Sequence, residues 1–119
     1  MITAIRGATT AENTIESIET ATMELLLEIL VENSLGVDLI ISILFTATAD
    51  LDAAYPAAAA RKMGITAASL MCAQEMSVVG SLQKCIRVQV LALTNAPQSY
   101  MRHIYLKEAR QLRPDLAEK

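Results

Sequence analysis

Three stretches of this 119-residue chain predict an α+β fold, a mixed β-sheet packed on one long helix plus a short one. From Cys85 to Val90 the residues alternate, with Ile86, Val88 and Val90 on one side and Cys85, Arg87 and Gln89 on the other, the period of a strand. Between Ile15 and Leu30 apolar residues recur at helical spacing. Leu39 to Ala47 is apolar and rich in β-branched residues.

Taken in order, residues 2–8 form a first strand ending near Gly7. Asn13 is the expected N-cap of the long helix, with Glu16 as its capping-box partner three residues on. Ile15, Ile18, Thr22, Leu25, Leu26, Ile29 and Leu30 make its core stripe, and Glu16, Glu19, Glu24 and Glu28 fall mostly elsewhere. The helix runs to about Asn33 and stops before Gly36. The second strand spans 39–47 and exits through Thr48 to Asp50. Tyr55-Pro56 opens a short alanine-rich helix that ends at Met63 and is closed by Gly64. Residues 66–72 read as a third strand and 76–83 as a loop into the strand of Arg87. Leu91, Ala92 and Leu93 make that strand apolar on both sides, which places it centrally in a covered sheet. Pro97 begins a turn, a short strand follows at Ile104-Tyr105-Leu106, and a polar tail carries Leu112-Arg113-Pro114-Asp115-Leu116.

The totals bound the function. One domain, residues 1–119, accounts for the length, with a mobile tail expected over 111–119. The apolar fraction is 53% with 3% aromatic and no Trp, so the core is Leu, Ile, Val, Ala and Met. The positive mean hydropathy exceeds what so small a domain can cover alone, and association is expected. A net charge of −3 without a basic run argues against nucleic acid as partner. No stretch approaches the length of a membrane span, and Met1 to Arg6 has no apolar leader core. Cys72 and Cys85 lack metal-type spacing and His103 is the lone histidine, so no metal site is expected. Two unpaired cysteines without an export signal fit a reducing cytoplasm.

The chemistry must come from a few polar groups. A guanidinium on a central strand needs an anion, from the protein or from a ligand, because an unpaired buried charge costs several kcal/mol. Arg6, Arg61, Arg87 and Arg113 all lie at element edges, and Glu75 follows the third strand. Several cations around one carboxylate fit a pocket for a small polyanion, since arginine holds carboxylates bidentately; the same pattern also fits surface ion pairs. Cys72 reads as a small core residue rather than a nucleophile, since no histidine is near it in sequence, and His103 as a surface or satisfied core histidine. With no glycine-rich phosphate loop and no Ser-His-Asp order, any catalysis here is expected to work without covalent chemistry.

The motifs taken together resemble one family along the whole chain. Ile5-Arg6-Gly7-Ala8-Thr9-Thr10, Phe45-Thr46-Ala47-Thr48-Ala49-Asp50-Leu51 and Tyr55-Pro56-Ala57 with Arg61 come first. Cys72-Ala73-Gln74-Glu75-Met76, Gly80-Ser81-Leu82, Lys84-Cys85-Ile86-Arg87-Val88, Arg102-His103-Ile104-Tyr105-Leu106 and Leu112-Arg113-Pro114-Asp115-Leu116 follow in the same order. This set is similar to the trimeric chorismate mutases of the AroH class, whose trimer forms a pseudo-barrel.

The resemblance implies conversion of chorismate to prephenate by a Claisen rearrangement, in the shikimate route to Phe and Tyr, with no cofactor. It implies that Arg87 is the cation beside the breaking ether oxygen. Glu75 is implied to accept a hydrogen bond from the ring hydroxyl, with Cys72 lining the same corner. Arg6 and Tyr105 are implied to hold the side-chain carboxylate. Tyr55, Ala57 and Arg61 are implied to come from the neighbouring subunit, and Leu112 and Arg113 from a tail that closes over the ligand. Two positions depart from the pattern: Tyr55 stands where Phe is familiar, and Ala58 where some members carry a lysine. An imine or enamine deaminase on a similar trimeric fold, or a non-catalytic protein binding small carboxylates, are the alternatives. One filled domain leaves no room for a regulatory module, so end-product inhibition is not expected.

Overall fold

The computed structural model describes residues 1–117. Five strands, β1 (Ile2–Thr10), β2 (Ile40–Ala47), β3 (Ser69–Gln74), β4 (Cys85–Leu93) and β5 (Ile104–Tyr105), form one mixed sheet in the order β3-β2-β4-β1-β5. β4 runs antiparallel to both β1 and β2, whereas β2–β3 and β1–β5 are parallel pairs. Helices α1 (Ile15–Glu32) and α2 (Pro56–Lys62) contribute to a core on one face, built from Ile5, Leu25, Leu26, Ile29, Ile43, Phe45, Val88, Val90 and their neighbours. α1 packs closely because β1 carries Gly7, where a Cβ would lie 2.9 Å from Ile29 Cδ1 and 3.1 Å from Leu25 Cδ1.

Both helices end as their sequences predict. Gly64, at φ +89°, donates to Arg61 O, and Ile65 N donates to Ala60 O, the paired bonds of a Schellman motif. α1 closes the same way with Ser34 in the left-handed conformation. Its start differs from expectation. Thr14 is the N-cap, its hydroxyl accepting from Ser17 N at 3.0 Å. Asn13 is instead engaged by the loop before α2, accepting from Asp52 N and Ala53 N and donating to Asp52 Oδ1. The third strand is shifted from the expected 66–72 to Ser69–Gln74, because the chain bends at 67–68 after the α2 closure and pairs with β2 only from Ser69.

Two further expectations are corrected. β4 is the middle strand, but its second face, with Arg87, Gln89 and Leu93, is exposed in the single chain rather than covered. Ile2, Leu44 and Met71 on neighbouring strands are exposed too. The segment expected as a polar tail is structured among the described residues. A 3-10 turn over Lys107–Gln111 and helix α3 (Pro114–Ala117) lay Ala109, Leu112 and Leu116 against Ala8, Cys85 and Tyr105, a second small core. Glu118 and Lys119, the end of the expected tail, lie outside the described residues.

Candidate active site

The open face carries the reactive groups because of strand register. Thr46 of β2 pairs with Arg87 of β4, Arg87 with Ala8 of β1, and Ala8 with Tyr105 of β5. This places Thr46, Arg87, Ala8 and Tyr105 in one row across the sheet. Arg6 lies two residues along β1 from Ala8, on the same face and about 7 Å away along the strand. Ala8 contributes no bulk, and the C-terminal segment buries it together with Tyr105, so the exposed part of the row lies on the Arg87 side.

Glu75 stands just past β3, its N–H donating to Ala47 O at 2.8 Å to add a last rung. Its Oε1 accepts from Thr46 Oγ1 at 2.5 Å, and its Oε2 faces Arg87 Nε at 3.6 Å. The anion that Arg87 was expected to need is therefore this carboxylate, although the guanidinium is half-exposed rather than desolvated. Cys85 is buried beside Arg87; burial pushes its thiol up from the ordinary value, and the guanidinium partly offsets that. Tyr105 is buried with Leu112 against Ala8. Arg113 is engaged by Asp115 through a two-point pair at 3.1 and 2.9 Å, which holds the Asp115 carboxyl below its ordinary value. His103 is buried and satisfied, its Nδ1 accepting from Arg6 N at 2.9 Å.

The other predicted site residues lie elsewhere. Cys72 pairs with Phe45, so it belongs to the core-side row, opposite to that of Thr46. With Tyr55 it lines a cleft of about 450 Å³ at the ends of β2 and β3, and neither Arg87 nor Glu75 lines that cleft. Tyr55 is 73% exposed. Ala57 is buried in the main core, and Arg61 is exposed on α2. In one chain, then, the candidates form two groups: Arg6, Glu75 and Arg87 on the open face with Tyr105 and Leu112 packed at its edge, and Cys72 and Tyr55 in the cleft, which Thr46 also lines.

Comparison with known proteins identifies the family. The sequence profile of chorismate mutase type I matches residues 2–116. The chain belongs to the type I chorismate mutase family. It is 47% identical over 118 residues to the chorismate mutase AroH of Thermus thermophilus, covering 98% of this chain and 97% of that one. To the chorismate mutase AroH of Bacillus subtilis (strain 168) it is 44% identical over 119 residues, covering 98% and 94%. The solved structure of a chorismate mutase from Clostridium thermocellum superposes with a TM-score of 0.89 at 50% identity, covering 91% of this chain and 97% of that one.

For a chorismate mutase chain, the sequence reading passed over one polar group, Thr46. Its signal was available: a hydroxyl near the end of a largely apolar strand, on the face opposite to Phe45. The two departures are both accessible. The Tyr55 hydroxyl, on an exposed ring, needs no buried partner, and Ala58 is only half-buried.

Proposed function

We propose that the protein is an isomerase that converts chorismate to prephenate in aromatic amino-acid biosynthesis, acting as a cytoplasmic homotrimer with sites shared between subunits. The observation that carries the reaction is Arg87 beside Glu75, at 3.6 Å on an open sheet face. In a Claisen rearrangement the breaking ether oxygen gains negative charge while the ring gains positive charge. A fixed guanidinium at the oxygen and a carboxylate at the ring both act more strongly on that dipole than on the ground state, and this difference lowers the barrier. No proton or nucleophile is required. Arg6 and Tyr105, flanking the row, hold the side-chain carboxylate and keep the substrate folded so that its reacting carbons meet.

The two separated groups support the trimer. A second chain laid on the open face would cover Ile2, Leu44, Met71 and Leu93. It would also bring a Cys72–Tyr55 cleft against Arg87 and Glu75, with Arg61 at its rim. Cys72 then serves the neighbour's corner rather than that of its own Glu75, whereas Leu112 and Arg113 close over their own Tyr105. Two free cysteines support the cytoplasmic reading. The test is the decay of chorismate absorbance with purified protein, beside its mass by light scattering. Turnover by a species of three chain masses is expected. A folded trimer without turnover overturns the reaction, and an active monomer overturns the shared site.

A further inference from the structure

We infer that Thr46 is a positioning residue that keeps Glu75 from closing onto Arg87, so that the carboxylate and the guanidinium remain separately available. The inference rests on the reading of that pair as the reactive centre. Glu75 lies beyond the end of β3, on the loop side of its last rung, where nothing in the strand fixes its side chain. Left alone, a carboxylate within reach of a guanidinium closes to a short two-point pair. Here it does not: Nε to Oε2 is 3.6 Å, outside hydrogen-bonding range. The other oxygen is taken by Thr46 Oγ1 at 2.5 Å. Thr46 is suited to this because it is the cross-strand partner of Arg87, on a paired strand, with a β-branched side chain stiff about χ1. An Arg87 neutralised by Glu75 would meet the ether oxygen with its charge already spent.

Thr46→Val removes the hydroxyl and keeps the shape, and Thr46→Ser keeps the hydroxyl. A hydrogen bond to a charged group is at stake, so kcat should fall about tenfold to a hundredfold in Thr46→Val. KM should change less, and Thr46→Ser should recover most of the rate. In a Glu75→Gln background Thr46→Val should cost nothing further, because there is no carboxylate left to restrain. The Arg87 Nε–H resonance offers a readout independent of turnover. It should move downfield and exchange more slowly in Thr46→Val as the pair closes, and stay near its wild-type position in Thr46→Ser. Equal losses in Val and Ser, an undiminished loss in the Glu75→Gln background, or an unmoved Nε–H in Thr46→Val would each overturn the inference. Absence of turnover by the wild type bears on the proposed reaction instead, and the resonance then decides the role of Thr46.

Discussion

Replacing Arg87 by alanine separates a catalytic cation from a structural ion pair, because the two roles predict opposite ratios of stability loss to rate loss. In the structure the Arg87 side chain is 44% exposed, its Glu75 partner 24%, and their closest approach is 3.6 Å. Exposed pairs of this quality contribute about 0.2–1 kcal/mol to folding. For a domain of this size that corresponds to a melting shift of at most about 5 °C. Glu75 also keeps its bond from Thr46, so the substitution strands no buried charge. The rate side is larger. Removing one preorganised donor at a developing anion costs about 2.7–4 kcal/mol, or a hundredfold to a thousandfold in kcat, and a full charge should cost no less. The assay is chorismate absorbance beside calorimetry and light scattering on the same preparations. Arg87→Ala should remain assembled, melt within a few degrees of wild type and lose at least about a hundredfold in kcat. Arg87→Lys, which keeps the charge but loses the fork, should fall between. Arg87→Ala within tenfold of wild type, or a rate loss that merely tracks melting, would refute the assignment.

Two further predictions concern the scaffold. Gly7→Val should destabilise by about 1–3 kcal/mol by overpacking, since even a Cβ meets Ile29 and Leu25 side chains and Ile104 O, at 3.2 Å, together; thermal melting checks it, and an unchanged melting temperature would show that α1 shifts freely. Cys85 should make stability fall at alkaline pH. Its folded thiol is raised above the ordinary 9.0, so the unfolded chain releases its proton first. The stabilisation is therefore complete below that value and is lost as pH climbs through the raised folded value. Melting temperature against pH should show this decline in wild type and a shallower one in Cys85→Ala.

Legibility in the sequence followed the range of the interactions. The direction of Arg87 was readable because alternation over 85–90 is local, and so were the Gly64 closure and the stripe of α1. The N-cap was misplaced by one residue because Asn13 and Thr14 are both good caps. What decides between them is a loop 39 and 40 residues away that claims Asn13. Residues 66–68 look like strand, but the chain leaving the α2 closure bends at 67–68 and pairs with β2 only from Ser69. The row joining Thr46, Arg87, Ala8 and Tyr105 depends on strand order and register, which no local pattern encodes. One signal was present and unused. Cys72 and Glu75 are three apart on extended chain, an odd separation, and odd separations put side chains on opposite faces.

That separation leads to a prediction for the assembly. If each site combines the Arg87 face of one subunit with the cleft and α2 of the next, then Arg87→Ala and Arg61→Ala damage different halves. A site is intact when its face comes from an Arg61→Ala subunit and its cleft side from an Arg87→Ala subunit. In trimers formed at random from equal amounts of the two, about a quarter of sites meet that condition. Co-expressed variants, purified together as the whole random population of trimers, should therefore recover about a quarter of the wild-type activity per site, although each parent alone is impaired. Were both halves drawn from one chain, no mixed site could be intact, and the mixture would match the mean of its parents. That outcome would put the face and the cleft of each site on the same subunit, and Cys72 and Tyr55 would then need another role.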